Sequence, residues 1–513
     1  MIPARRQFLA LACALVLANS ALIGPRGSSG VHAQARRHTQ LLLVIDGLRP
    51  DYITPQVMPR LHALGARGIV FTAHHSVFPT VTRVNASSMS TGAYPESHGL
   101  LGNTIYSEKA FPGKGLNTAD HAQLLAMERA EGDLLTAPTL GSVLQRAGRR
   151  FVVISAGSSG SALLLNHPVY NGAVINPDFI DPPSLATKVT AVAGKGPAEA
   201  VPNNARNKWA VDVYLSLGLG ELNSDVTAIW FGDPDATAHQ KGIGSETTIQ
   251  ALRYVDAEIG RIEDTLKQRG LLDTTNIIVA SDHGFSTQTG TMALAQVVAP
   301  FSRVMPDGAR DIVVTEGAIN FRGAADPARV KAIVGELQRR PEIGAIFTRP
   351  ASPGSMQGVV PGTLSHNVAR WNHARASDIM VSGNWTEDRN PAGFPGQTTQ
   401  GGVAGHGTSS PYDIHNTFMA AGPDFRAGAT SAVPTSNADL APTILRLLGL
   451  QVPASMNGRA VEEGLTKGAT PGSVNVTRSS ETASTPDGSY EVIAHISTVN
   501  GHRYLDFTDT RRR

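Results

Sequence analysis

Carboxylates and histidines gather at the ends of short apolar runs in this 513-residue chain. Asp46 follows Gln40–Ile45 (QLLLVI), and Asp235 and His239 follow Val226–Phe231 (VTAIWF). Asp282 and His283 follow Asn276–Ser281 in the string Ser-Asp-His-Gly, and His406 lies between Gly405 and Gly407. Oxygen and imidazole donors of this kind suit a hard or borderline divalent cation, zinc above all when no thiolate is available. Asp235 and His239 are four positions apart, which puts both on one face of a helix. The glycines around His406 let the backbone come close to an ion or a substrate. Each residue also has a bland reading. An Asp after a strand often forms a turn or caps a helix, and an Asp-x-x-x-His pair is commonly a surface ion pair. Their joint occurrence at successive strand ends argues against chance.

Thr82 stands immediately before Arg83–Met89, which can start a helix, so its bland role is an N-cap. The same position suits a nucleophile. The N–H groups and positive end of a helix attract a phosphoryl group, and contact with a metal lowers a hydroxyl pKa. Asn103, after Gly102, offers a neutral donor for a non-bridging oxygen, or simply turns the chain. Arg83 can pair with phosphate or carboxylate, or lie exposed in the first helical turn.

The elements that must position these residues follow from periodicity. Gln40–Ile45, Phe151–Ser155, Val226–Phe231 and Asn276–Ser281 read as buried strands. Met58–Gly65, Pro138–Ala147 and Thr247–Arg269 read as helices, the last stopping at Gly270. The alternation predicts an α/β fold with a mostly parallel central sheet and helices on both faces. Active sites of such sheets lie beyond the carboxyl ends of the strands. A small α+β insertion is expected at about 285–400, from Gly317–Arg322, a helix-like Pro327–Arg340 and Ile343–Thr348. Residues 351–402 read as long loops forming substrate walls. Residues 36–465 make the catalytic domain, 468–488 a Ser/Thr/Pro-rich linker, and Tyr490–Phe507 a closing β hairpin within a 466–513 tail.

Residues 1–35 read as a signal peptide: Arg5 and Arg6, then Phe8-Leu9 and an apolar run to Ile23, then small-residue cleavage sites near Ala33 and Ala35. The paired arginines suggest twin-arginine export, and the expected location is periplasmic or secreted. No other stretch is long and apolar enough to span a bilayer. The leader takes away Arg5, Arg6 and Arg26, leaving 41 basic against 42 acidic residues, so no nucleic-acid-binding face is expected. The single cysteine, Cys13, falls in the leader, where a lipid-anchor reading competes with an ordinary apolar core. The mature chain then has no disulfide and no thiolate ligand.

Together these residues resemble the alkaline phosphatase superfamily, most closely its type I phosphodiesterase/nucleotide pyrophosphatase branch. The matching segments are Leu43–Tyr52 (LVIDGLRPDY), Phe78–Asn103, Asp233–His239 (DPDATAH), Ser281–Gly284 (SDHG), Gly405–Gly407 (GHG), Met419–Phe425 (MAAGPDF) and Asn437–Gly449 (NADLAPTILRLLG). Thr82 follows Asp46 by 36 positions and precedes Asn103 by 21, in agreement with the family. The resemblance implies two divalent ions, zinc by expectation. Asp235, His239 and His406 would hold one; Asp46, Asp282, His283 and the Thr82 oxygen would hold the other. Thr82 would be the nucleophile of a double displacement through a phospho-threonine, with Thr80 a neighbour and His74, His75 and His98 structural. Nucleotide-selective members tend to carry an aromatic residue after the nucleophile, where this chain has Arg83. The implied substrate is therefore a small phosphate ester, pyrophosphate or phosphonate. Phosphomonoesterase and phosphonoacetate hydrolase are alternatives on the same site, as are transfer to an alcohol and a non-catalytic anion-binding role. A sulfatase is disfavoured because no Cys-x-Pro-x-Arg segment is present.

Overall fold

The computed structural model describes residues 38–513; the proposed leader, with Arg5, Arg6 and Cys13, lies outside the described residues. A nine-stranded sheet forms the centre. Its order is Ala429–Ser431, Ile69–Phe71, Phe418–Ala421, Thr275–Ala280, Thr39–Ile45, Val226–Phe231, Phe151–Ser155, Ala173–Asn176 and Phe179–Asp181. Strands Thr275–Ala280, Thr39–Ile45, Val226–Phe231, Phe151–Ser155 and Ala173–Asn176 pair in parallel. Phe418–Ala421 and the edge strand Phe179–Asp181 run against them. The expected mostly parallel α/β sheet is thus present.

Strand alternation explains why both faces are covered. Leu41, Leu43 and Ile45 enter one hydrophobic cluster with Leu61 and Leu64 of helix Pro59–Arg67 and Val255, Ile259 and Ile262 of helix Glu246–Gln268. Leu42 and Val44 point the other way, into a cluster with Ala86 and Met89 of helix Thr82–Thr91 and Leu163 and Leu164 of helix Ser159–Leu165. Successive side chains leave opposite faces of a strand, so an unbroken apolar run feeds two cores at once.

Register sets the level of the site. Ile45 pairs with Phe231 and Val44 with Ala280, so Asp46, the turn before Asp235, and Asp282 emerge together at the carboxyl edge. The chain then leaves that edge through Ser286–Gln288, which pairs antiparallel with Ala404–Gly405 in a separate four-stranded sheet. This pairing carries His406 back beside His283.

The insertion is an α+β unit: a five-stranded sheet, order Ile312–Thr315, Ala318–Phe321, Ile379–Gly383, Ile343–Thr348, Leu364–Ser365, with helix Pro327–Gln338. Two sequence expectations need correction. Residues 351–402 are not all loop, because Leu364–Ser365, Ile379–Gly383, Trp385–Arg389 and Pro395–Thr398 are strands. The presumed linker contains strand Val476–Ser484, so the C-terminus is a three-stranded antiparallel sheet rather than a hairpin. Val476–Ser484 is an edge strand whose only fully buried residue is Ala483, and such a strand shows no apolar alternation to read. The sheet joins the body through Tyr490 Oη donating to the Gly344 carbonyl and Arg512 Nε to that of Gln338.

Leu43 is fully buried at the centre of the sheet. Leu43→Ala should cost about 2–5 kcal/mol, read as a lower urea midpoint. An unchanged midpoint would show that this strand is not central to the core.

Candidate active site

Every sequence-predicted ligand converges at the carboxyl edge of the sheet. Asp46 Oδ2 accepts a hydrogen bond from Trp230 Nε1 at 3.0 Å, and the Asp46 carbonyl accepts the Asp235 N–H at 3.1 Å. Gly47, at φ +70°, turns the chain immediately afterwards and donates its N–H to Asp282 Oδ1 at 3.0 Å. A side chain there would meet the Phe285 ring at 3.0 Å, and the left-handed conformation favours glycine in any case. Asp235 opens helix Asp235–Lys241, and His239 lies one turn on with Nε2 3.2 Å from Asp235 Oδ1. Gly284 permits the next approach, since a Cβ on it would lie 2.1 Å from the Tyr412 carbonyl oxygen.

The three histidines share one arrangement. Nδ1 of His239 faces the Ala404 carbonyl at 2.9 Å, Nδ1 of His283 that of Gly284 at 2.9 Å, and Nδ1 of His406 that of Thr80 at 2.8 Å. A backbone carbonyl accepts only a proton, so each Nδ1 is protonated and, in a neutral ring, each Nε2 lone pair turns toward the carboxylates. Asp235 Oδ1 is the common focus, 3.2 Å from His239 Nε2, 3.3 Å from His406 Nε2 and 3.9 Å from His283 Nε2. His283 Nε2 is also 3.2 Å from Asp282 Oδ2 and 3.5 Å from Asp46 Oδ1. The His283 and His406 rings stack at 3.4 Å between centroids.

Among the described residues, three buried carboxylate oxygens here have no hydrogen-bond partner: Asp46 Oδ1, Asp235 Oδ1 and Asp282 Oδ2. Burial raises Asp46 well above the usual carboxylate range, helped by repulsion from Asp282 and Asp235. Burial, with the charge of Asp235, pushes Asp282 up to about 6. Burial acts on Asp235 too, yet His239 and His406 outweigh it and hold it well below its ordinary value. Burial and the neighbouring His406 keep His283 neutral. Such a cluster is costly unless a cation compensates it, and the donor set fits a divalent one. Ligand atoms of Asp235, His239 and His406 lie within 4.8 Å of one another, as do those of Asp46, Asp235 and His283. Asp235 therefore faces both groups, which the sequence did not indicate.

Thr82 is the first residue of helix Thr82–Thr91 rather than its N-cap, a place taken by Val81. Its hydroxyl makes no capping bond and lies 3.2 Å from His283 Nε2. Asn85 clamps the preceding loop, accepting the Val77 N–H at 2.7 Å and donating to the Val77 and Val81 carbonyls. Asn437 then ties this loop to the metal-side turn through Asn85 Oδ1 and the Asp282 carbonyl. Thr80 is structural, bonded to Thr408 and Gly407 beside His406.

Asn103 does not sit free. Its Oδ1 accepts the Arg83 N–H at 3.0 Å, which removes one helix N–H from any substrate and leaves the Asn103 amide nitrogen as donor. The Arg83 side chain is half-buried and its Nε has no partner among the described residues. His74, His75 and His98 are structural as expected: His74 bonds Thr435 and Asn437, His75 meets Asp506, and His98 meets Ser88.

One residue of this neighbourhood escaped the sequence reading. Glu316, on the insertion, accepts the Asn103 N–H at 3.1 Å. It lies 213 positions away in a turn, and no motif marks it.

The chain is similar to known proteins over much of its length. The family model for type I phosphodiesterase / nucleotide pyrophosphatase matches residues 40–386. Human ectonucleotide pyrophosphatase/phosphodiesterase family member 7 is 25% identical over 276 residues, 53% of each chain. Xenopus laevis bis(5'-adenosyl)-triphosphatase enpp4 is 27% identical over 48% of this chain and 47% of its own. Macrovipera lebetinus venom phosphodiesterase is 27% identical over 48% of this chain and 25% of its own. The chain thus spans about half the length of the first of these relatives. With the family model covering more than half of the chain, including Asp46, Thr82, Asp235, His239, Asp282 and His283, the protein belongs to the type I phosphodiesterase / nucleotide pyrophosphatase family.

Proposed function

We propose that the chain hydrolyses phosphate diesters or pyrophosphate bonds through a phospho-threonine formed on Thr82. Asp235, His239 and His406 would hold one divalent ion, and Asp46, Asp282 and His283 with the Thr82 oxygen a second, both zinc. The observation that carries this reading is the position of Thr82 Oγ1, uncapped and 3.2 Å from His283 Nε2, beside carboxylate oxygens that lack any protein partner. Bound there, the ions would supply Lewis-acid stabilisation of the attacking and leaving oxygens and ease ionisation of the hydroxyl. Thr82 Oγ1 forms the new bond to phosphorus as the alcohol leaves in line. Water then breaks the phospho-threonine bond from the vacated side and restores the hydroxyl. The Asn103 amide donates to a non-bridging oxygen throughout.

A monoesterase or phosphonoacetate hydrolase is the second reading, and Arg83 favours it. A guanidinium one residue from Thr82, its Nε without a partner among the described residues, can pair with an extra phosphate charge or a carboxylate. Export is proposed with the leader assignment, supported by relatives whose names mark them as an ecto-enzyme and a venom enzyme. Amino-terminal sequencing of the periplasmic or secreted protein tests it, and a cytoplasmic protein retaining Arg5 and Arg6 would end it.

Thr82→Ala should keep the metal content measured by mass spectrometry and reduce turnover by at least about a thousandfold. Retained turnover would assign the nucleophile elsewhere. Bis-p-nitrophenyl phosphate should be hydrolysed faster than p-nitrophenyl phosphate by the metal-loaded protein, and the reverse order selects the monoesterase. His406→Ala should lower bound zinc, and equal zinc in variant and parent would remove His406 from the site.

Acidity provides a further test. Asp282 is raised from 3.8 to about 6 when folded, so the metal-free native state binds more protons than the unfolded chain between these values. Stability of the metal-free protein therefore falls as pH rises through about 6 and recovers on acidification. The melting-temperature gap between zinc-loaded and chelator-treated protein should widen from pH 5 to pH 7. A gap independent of pH would mean the cluster is not what the metal stabilises.

A further inference from the structure

Glu316 occupies an unusual place for its type. It lies in the two-residue turn between Thr315 and Ala318, which pair as the end of a hairpin, and its backbone adopts φ +52°. A side chain with a Cβ is disfavoured there, so a glutamate held in this conformation points to a role for its carboxylate. That carboxylate reaches out of the insertion and accepts the Asn103 N–H at 3.1 Å. Asn103 in turn accepts the Arg83 N–H through Oδ1 at 3.0 Å, at the first turn of the nucleophile helix. A continuous chain of hydrogen bonds thus runs from the insertion to the residue beside Thr82.

Charge follows the same path. Glu316 is the foremost acidic influence on Arg83, ahead of Asp46, Asp235 and Asp282. Arg83 Nε nevertheless has no hydrogen-bond partner among the described residues, so none of them consumes the guanidinium at that atom. Burial raises the Glu316 carboxyl above its ordinary value, and Arg83 and the Asn103 N–H act against burial to favour its ionised form. The substrate side of Thr82 therefore presents one cation that can take an anionic oxygen and one anion that repels further charge.

We propose that Glu316 is a positioning and charge-selecting residue: it holds Asn103 toward the phosphoryl group and, by opposing the charge of Arg83, disfavours a doubly charged monoester relative to a singly charged phosphodiester. The inference rests on the Thr82-centred reading above. A diester presents a single negative charge, which Arg83 and the Asn103 amide can satisfy. A monoester brings a second charge into the field of Glu316. Removing one elementary charge from a partly screened site several ångströms away is worth roughly a factor of ten in relative affinity.

The test compares Glu316→Gln, Glu316→Asp and Arg83→Met in metal-loaded, full-length protein. Glu316→Gln should raise the kcat/KM ratio of p-nitrophenyl phosphate to bis-p-nitrophenyl phosphate about tenfold. Glu316→Asp, which keeps the charge, should stay near the parent ratio, and Arg83→Met should move it toward the diester. Calorimetry with inorganic phosphate gives a readout that needs no turnover: Glu316→Gln should bind it more tightly by a similar factor, and Arg83→Met more weakly. An unchanged ratio and unchanged phosphate affinity in folded Glu316→Gln overturn the proposal, as does an equal loss on both substrates that Glu316→Asp does not rescue. Should Glu316→Gln fail to fold, the Arg83→Met arm decides, and a ratio there equal to the parent's also overturns it. A parent enzyme that prefers the monoester defeats the diesterase reading alone, because the shift on substitution is measured whatever the starting preference.

Discussion

Three carboxylate oxygens, from Asp46, Asp235 and Asp282, are buried close together without a hydrogen-bond partner among the described residues. Desolvated like charges repel, so Asp46 and Asp282 are pushed toward neutrality while His239 and His406 keep Asp235 ionised. Much of the surrounding structure holds this arrangement in place. Trp230 and the Gly47 N–H occupy the remaining oxygens of Asp46 and Asp282, fixing which lone pairs stay free. The three histidines are locked by backbone carbonyls at Nδ1, so the opposite nitrogens can only face the acids. The site is thus pre-organised for a divalent ion, with the cost of burying charge met by the folding of the rest.

That cost explains why the ligands stand on the most rigid element available. Asp46, Asp235 and Asp282 follow central strands whose side chains are buried on both faces. His406 alone comes from a long excursion, and it is returned by the pairing of Ser286–Gln288 with Ala404–Gly405. The helix that carries Thr82 is secured separately. Asn85 clamps the loop before Thr82, and Asn437 ties that clamp to the Asp282 carbonyl. The Thr82 hydroxyl and the carboxylates therefore keep a fixed relation although the hydroxyl stands on a helix and the carboxylates follow central strands.

The substrate side is built by other means. Asn103 is gripped from two directions, by the helix through its side chain and by the insertion through its backbone. The insertion is therefore a contributor to the site and more than a cover over it. Arg83 stands where this construction meets Thr82, with its Nε unpartnered among the described residues.

The ligand residues were legible in the sequence because short apolar strands announce themselves by composition, and the position just past such a strand is where chemistry sits in a parallel sheet. Asp46, Asp235, Asp282 and His283 were readable for that reason, and His239 by helical spacing. The polar strand Val476–Ser484 was misread as a linker because an edge strand exposed on both sides has no periodic signal. Thr82 reads in sequence as either a nucleophile or a cap, and only the tertiary structure puts Val81 in the cap's place. The sharing of Asp235 between two ligand groups and the approach of Glu316 to Asn103 depend on side-chain direction and on contacts across hundreds of residues. Residue type and spacing could determine which atoms were able to bind an ion. Where those atoms point, and which distant charge faces them, was decided by strand register and the packing of the insertion.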